Sequence, residues 1–239
     1  MNKFFDYSNS TDYPIFFDEC LIHAQNKLFV NTINNNHRYM DYKDIPSRRL
    51  NWNIYETTTG NLIGAMGLSS GVLALNSREK FIGWGKEAKQ QNLNMIGNNY
   101  RFCLIKDNIT IRNVGTMALK LMREVGAKRW KEKYGDDLML IETFVKPPWT
   151  GSVYKADNWV IIGMTKGNSI KKAPLHLWKK ENSKRGELAR TDPEAAVKKY
   201  ASYQTGQHYY VEKSEPKIIM VKPLIKKWKK VLCSYDESI

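Results

Sequence analysis

The apolar positions of this chain fall into short blocks whose order predicts a layered fold. Trp52-Asn53-Ile54-Tyr55 and Leu62-Ile63-Gly64-Ala65-Met66-Gly67-Leu68 read as two strands. Thr58-Thr59-Gly60-Asn61 between them is turn chemistry, because Gly60 takes a positive φ without steric cost. The run from Tyr100 to Ile105 is short enough for a buried strand. Val114, Met117, Ala118, Leu121, Met122 and Val125 recur at three- and four-residue spacing, which predicts a helix over 114–126. A second apolar run, 138–145, is stopped by Pro147-Pro148, because proline cannot donate to a sheet. A short helical piece around Tyr154-Lys155-Ala156 precedes a third strand, 159–164. The pattern predicts these three strands side by side in one mixed sheet, with the helix packed across them.

Outside this core the pattern thins. Cys20, Leu21, Ala24, Leu28 and Phe29 fit a helix over 18–33, behind an aromatic, acidic opening that reads as a strand or arm. Lys86 to Asn94 is polar, either a surface loop or a short helix that carries Asn92 to a site. Gly64, Gly67 and Gly71 mark a bulge or leave room for a ligand. Lys171 to Arg190 is charged and contains Gly186, which reads as an extended loop. Thr191-Asp192-Pro193-Glu194 opens a helix from Ala195 to Tyr203 that Gly206 ends. Lys217 to Val221 is a closing strand. The expectation is a single domain over 1–239, with an arm and helix over 1–36, a basic insertion over 171–215, and a closing strand and tail over 216–232.

At 42% hydrophobic, the 239 residues suffice for one sizeable core. No apolar run reaches the roughly 18 residues of a membrane helix. The opening lacks the apolar centre and small-residue cleavage site of a secretory leader, so the cytoplasm is expected. Cys20, Cys103 and Cys233 are far apart and read as reduced thiols. No CxxC or HxxxH pair is present, so no metal site is expected. Charge changes the picture more. The chain carries +14, and between Lys166 and Lys230 seventeen Lys/Arg stand against six Asp/Glu, 17 − 6 = +11. Such an excess draws polyanions. A nucleic acid fits that charge, with Lys226, Lys227, Lys229 and Lys230 on the phosphate backbone and Trp228 as packing anchor, and so does a basic, soluble protein with no such partner. The alternative is a solvated terminal helix.

The strand-helix-strand-helix-strand order resembles the core of the GNAT acyltransferase fold. That resemblance implies a helix N-terminus after the fourth strand that takes the coenzyme A pyrophosphate, and a splay between the fourth and fifth strands. The usual signature, Arg/Gln-x-x-Gly-x-Gly/Ala, is met by Arg112, Gly115 and their neighbours and departs at Met117. Acyl-coenzyme A or a related donor therefore stays open, with Arg112, Gly115 and Thr116 as its binding residues. Gly115 otherwise serves close helix packing.

Longer words point further. Phe81-Ile82-Gly83-Trp84, Asn98-Asn99-Tyr100-Arg101-Phe102, Leu140-Ile141-Glu142-Thr143-Phe144-Val145 and Gly151-Ser152-Val153-Tyr154-Lys155-Ala156-Asp157-Asn158-Trp159 resemble the DruA family, named for the Druantia anti-phage system. The Tyr154 to Trp159 segment is also similar to the Mom proteins of Mu-like phages. Those have a GNAT-like fold and modify DNA adenine to N6-carbamoylmethyladenine. The resemblance implies a DNA-modifying enzyme that protects DNA from restriction. It also allows a DruA-like binding component of a defence system or mobile element without transferase chemistry. An ordinary coenzyme A acyltransferase is a third reading.

Candidate chemistry follows from these residues. Arg101 suits a phosphate or carboxylate through two parallel bonds, or a buried ion pair with Glu142. Glu142 is the one carboxylate in an apolar strand, and burial would raise its pKa toward general-base work on an amine. Thr116 offers a hydroxyl to a ligand or to the helix backbone. Tyr154 donates a proton or stacks on a base, Asn99 and Asn158 meet the substrate, and Trp159 belongs to the core. His37-Arg38-Tyr39 stands where the resemblance implies a His-Tyr pair, with Tyr39 at the cleft edge. Lys146 stands where related chains often carry an aspartate. The expectation is that Arg101, Thr116, Glu142, Tyr154 and Asn158 converge on one cleft.

Overall fold

The computed structural model describes residues 13–37, 42–167, 169–172, 174–200 and 210–236. Tyr39 and Arg38, and the end of the expected helix at Tyr203 and Gly206, lie outside the described residues. The chain up to Met164, together with the return from Ile218, makes one compact unit, and Thr165–Lys217 makes a second. The first unit runs β1 (Ile15–Glu19), α1 (His23–Asn36), β2 (Arg49–Glu56), β3 (Leu62–Ser70), α2 (Asn76–Ile82), α3 (Lys86–Asn92) and β4 (Ile96–Leu104). It continues through α4 (Val114–Leu121), a π-helical turn at Met122–Gly126, α5 (Ala127–Tyr134), β5 (Leu140–Val145), α6 (Ser152–Ala156) and β6 (Val160–Met164). The second unit holds β7 (Ser169–Lys172), α7 (Leu175–Trp178), α8 (Lys184–Thr191), α9 (Pro193–Tyr200) and β8 (Tyr210–Lys213). The return supplies β9 (Ile218–Pro223) and α10 (Trp228–Cys233).

Seven strands form one sheet in the order β1-β2-β3-β4-β5-β9-β6. The three strands expected side by side do share it, but β9 stands between β5 and β6. β5 and β6 run the same way, and β9 pairs antiparallel with both, Glu142 against Val221 and Val160 against Val221. It thereby gives each neighbour the perpendicular antiparallel ladder. Among the described residues only β4 and β5 pair in parallel. The helix expected from 18 starts at His23, because Asp18 and Glu19 pair with Asn53 and Trp52 in the sheet. The helix expected over 114–126 runs on to Tyr134. The π turn adds a residue to the helical phase, so Trp130 returns to the core face and is fully buried.

Alternation along the strands separates two faces. Met66 and Leu68 of β3 face α4, α5 and α6, packing with Trp52, Leu119, Met122 and Trp130. Ala65 faces the other way, where α1 covers it and Cys103 with Phe29 and Ile33. On that same side α2 and α10 bring Ile82 and Leu232 against Ile96, Leu140 and Val221. Between these two apolar patches runs a belt of polar residues on β2–β5.

Of the register slips in this sheet, which fall between β2 and β3, β3 and β4, and β6 and β9, the one between β3 and β4 breaks the alternation beside the polar belt. Gly67 pairs with Arg101 and Leu68 with Asn99, so Tyr100 is an extra residue in β4. Such a bulge turns two successive side chains to one face. Tyr100 and Arg101 both join the polar belt, while Asn99 faces α6. The Tyr100 ring lies over Gly67, where a Cβ would come within 2.4 Å of Cε1, and its hydroxyl donates to Asn51 Oδ1 at 2.6 Å. The glycine-thinned strand is thus a bulge partner.

Within the second unit, β7 and β8 pair antiparallel and Trp178, Ala189 and Ala196 form a small core. The stretch 171–190, expected as an extended loop, holds β7, α7 and α8. Lys184 and Glu187 are exposed on α8, and Ser183 Oγ caps that helix by accepting the Gly186 N–H at 3.1 Å. Asp192 Oδ1 accepts the Ala195 N–H at 3.0 Å and α9 begins at Pro193, while Thr191, the head of the expected capping box, ends α8 and donates to the Glu187 carbonyl.

Replacing Gly67 by Ala is expected to force the Tyr100 ring off the strand and destabilise the protein by about 1–3 kcal/mol, as overpacking does. Urea denaturation of Gly67→Ala against the parent measures it. A cost near zero would show that the ring moves freely.

Candidate functional site

β4 and β5 are hydrogen-bonded over three register positions only, Ile96 with Leu140, Gly97 with Ile141 and Asn98 with Glu142. Beyond Asn98 the bulge bends β4 away, and the strands part. A cavity of about 510 Å³ opens there, lined by Asn99, Phe102, Thr143, Phe144, Trp149 and Tyr154 among others. His37, just past α1, borders it from one face of the sheet, and Val153 of α6 from the other.

The polar centre of this cleft is small and fixed. Tyr154 donates its hydroxyl proton to Asn99 Oδ1 at 2.7 Å. Asn99 Nδ2 in turn donates to the carbonyls of Gly67 and Arg101, both at 3.0 Å. Thr143 Oγ1 donates to the Asn99 carbonyl at 3.0 Å. Asn99 therefore spends its amide on holding Tyr154, and does not present it to a substrate. Phe102 and Trp159 meet the Tyr154 ring edge-on at 6.3 and 4.9 Å. The α6 backbone enters through Gly151 at φ 71, where a Cβ would lie 2.7 Å from Met220 Sδ. Cys103 borders the cleft, but burial pushes its thiol up to about 11, so it is protonated near neutrality and no nucleophile.

The other expected site residues lie elsewhere. Glu142, fully buried, faces the polar belt on the far side of the sheet from Tyr154. Its Oε2 pairs with Arg78 Nη1 at 2.9 Å and its Oε1 accepts the Val72 N–H at 2.8 Å. Its partner is Arg78 on α2 and not Arg101. Burial raises its carboxyl, opposed by the Arg78 charge and the Val72 bond. Both oxygens are committed, which makes Glu142 a structural anchor. Arg101 sits on the same face, also away from Tyr154. Thr116 Oγ1 donates to the Asn113 carbonyl at 3.0 Å, its helix-backbone alternative. Arg112 is exposed at the foot of α4. Asn158 is exposed past the end of α6 at φ 57, so it does not share a helical face with Tyr154. Asn92 caps the end of α10, donating to the Leu232 and Ser234 carbonyls at 3.2 and 2.5 Å. Lys226, Lys227, Lys229 and Lys230 are exposed, and Trp228 stacks on Phe81 at 5.4 Å. Of the five residues expected to converge, Tyr154 alone lines the cleft. Arg78 was the partner that sequence reasoning missed. Its signal was a basic residue four positions before Ile82, on the inward side of a short helix.

The α4 N-terminus does not fit coenzyme A as its signature describes. A Cβ at Gly115 would lie 2.4 Å from Val153 Cγ2, so that glycine serves the packing of α4 on α6. Met117 packs against the core and fills the place where the signature wants Gly or Ala.

The strand order, the single parallel pair and its splay define a GNAT-like mixed α/β fold. Within that class, the sequence profile of one family, described as Druantia protein DruA, matches residues 18–178. The chain belongs to the DruA family. No curated protein matches it. Among solved structures it is similar to a spermidine N-acetyltransferase from Vibrio cholerae in complex with CoA and spermine, at 7% identity and TM-score 0.45 over 88% of this chain and 96% of that one. It is similar to FeeM, an N-acyl amino acid synthase from uncultured soil microbes, at 10% identity and TM-score 0.43 over 92% and 94%. A ribosomal-protein-S5-alanine acetyltransferase from Vibrio fischeri gives 10% and 0.42 over 89% and 94%. No helix among the described residues is long and apolar enough to cross a membrane.

Arg78→Met would leave Glu142 buried without its cation, at an expected cost of about 3–5 kcal/mol near neutrality. The sign with pH is fixed. Losing Arg78 raises the native Glu142 pKa further above its unfolded value of about 4.3. The native state then holds the proton more tightly, so the mutant's deficit grows as pH rises through that window and shrinks below it. Urea denaturation between pH 4 and 8 reads this. A pH-independent deficit would contradict the assignment.

Proposed function

We propose that this chain is a transferase acting on an exocyclic amino group held in the β4–β5 cleft, and that the amino group is N6 of adenine in DNA. The observation that carries the reading is the Tyr154 hydroxyl, fixed by Asn99 at the centre of an aromatic cavity. Phe102, Phe144, Trp149 and Tyr154 offer ring faces and edges to a planar base. The cavity, about 510 Å³, falls in the ordinary range for small-ligand sites. Its proton goes to Asn99 Oδ1 and Thr143 Oγ1 stands 3.5 Å from its oxygen, and in this reading the fixed hydroxyl orients the amino nitrogen of the base. A base inside a duplex would have to be flipped out to reach it. The chain's +14 charge suits a polyanionic substrate.

Nucleoside mass analysis of DNA from expressing cells tests this. Modified adenine is expected with the parent and about 100-fold less with Tyr154→Phe, which keeps the ring and removes the hydroxyl. Unmodified DNA beside well-folded protein would overturn it.

One observation favours a second reading. Glu142, the carboxylate suited to proton removal, is tied to Arg78 outside the cleft. A DNA-binding component of a defence system or mobile element needs no such base. Under either reading, replacing Lys226, Lys227, Lys229 and Lys230 together by Ala is expected to weaken duplex binding. The log–log salt slope should flatten by roughly 0.9 for each phosphate that these lysines neutralise. Unchanged affinity and slope in a salt titration would remove this tail from the interface.

A further inference from the structure

Among the described residues, three arginines face the polar belt between the α1 patch and the α2–α10 patch. Arg49 pairs with Asp44, and Arg78 pairs with Glu142 and Glu79. Arg101 is different. It is 7% exposed, and no carboxylate among the described residues pairs with it. A buried charge without a counter-ion is costly, and proteins normally pair it.

The guanidinium is nevertheless held in place. Nη1 donates to the Tyr100 carbonyl at 2.8 Å, and the group stands over the Tyr100 ring with its Cζ 5.2 Å from the centroid. That ring is anchored to Asn51. Arg101 Nε, a donor, is buried with no hydrogen-bond partner. So is Asn98 Oδ1, an acceptor, on a residue 8% exposed. Asn98 pairs with Ser69 and Arg101 with Gly67, so both side chains stand on one face, two β3 positions apart. A fixed cation, an orphan donor and an orphan acceptor thus lie together on a sheet face. Tyr100, which carries the guanidinium, also lines the cleft.

We propose that Arg101 and Asn98 form a ligand subsite for a small oxyanion that carries its own hydrogen-bond donor, entering from the α1–α2 side of the sheet. The oxyanion supplies the missing counter-charge and accepts from Nε, in the planar manner guanidinium favours. The ligand's N–H or O–H satisfies Asn98 Oδ1. Hydrogen phosphate and an amino carboxylate both carry this pair of functions. The subsite stands apart from the transferase reading, because its test is binding and not turnover.

Thermal unfolding of the full chain is followed with inorganic phosphate, with glycine, and with sodium chloride at matched ionic strength. One of the first two is expected to raise Tm by about 5 °C at roughly 100-fold excess over Kd, and the salt control is not. A response to phosphate identifies a phosphate ligand, and a response to glycine an amino carboxylate. The rise should vanish in Arg101→Met and shrink in Asn98→Leu and Arg101→Lys. Without ligand, Arg101→Met should melt no lower than the parent, because an uncompensated charge has been removed. No ligand response in the parent would overturn the proposal. So would a response that survives in Arg101→Met, or a free Arg101→Met protein that melts well below the parent.

Discussion

The extra residue in β4 at Tyr100 governs how both sides of the sheet are used. Without it, strict alternation would set Arg101 on the same side as Asn99, facing α6. With it, Asn99 reaches Tyr154 on one face while Tyr100 and Arg101 stand on the other. The same irregularity ends the parallel pairing of β4 with β5 after Asn98 and so opens the cleft. Gly67 is the complementary residue, because only a missing side chain leaves room for the ring that the bulge turns over it. A ladder defect of one residue therefore sets Asn99 in the cleft and Tyr100 with Arg101 in the belt behind it.

The Arg78–Glu142 pair secures the point where the strands begin to part. Glu142 occupies the last parallel register position, and its two oxygens tie β5 to α2 and to the turn after β3. The turn is also held by the Gly71 N–H, which donates to the Ile96 carbonyl at 2.8 Å, and α2 by the apolar packing of Ile82. A buried ion pair of this kind is weak as a net source of stability but strict in geometry, since removing either partner strands the other. It fixes where β5 lies while the strands separate above it.

Much of the architecture was legible in the sequence. The β2–β3 hairpin, the core strand-helix-strand order and the helix start at Asp192 follow from periodicity and turn residues, which are local signals. The long words that resemble DruA located the Tyr154 segment. What was not legible depended on distant pairing. No local pattern announces that β9 inserts between β5 and β6, that a π turn carries the helix on to Tyr134, or that 171–190 folds around Trp178. The site suffered for the same reason. Arg101 was expected in the cleft for its guanidinium chemistry, and a carboxylate in an apolar strand invited a catalytic role that Arg78 absorbs. Asn158 looked like a helical neighbour of Tyr154 because spacing cannot reveal that α6 ends at Ala156.

The junction between the two units has its own consequence. The Thr165 N–H donates to the Lys217 carbonyl, and the Lys217 N–H donates to Thr165 Oγ1, both at 2.8 Å. The segment between them leaves and returns at one closed gate, with the antiparallel β6 and β9 on its far side. Closing a loop at such a gate depends only logarithmically on what it encloses, about 0.6 kcal/mol for each doubling of length. The sheet is therefore nearly indifferent to the size of that segment. By that scaling, added length between Thr165 and Lys217 changes the closing cost little, because the ends stay fixed where Met164 and Ile218 pair.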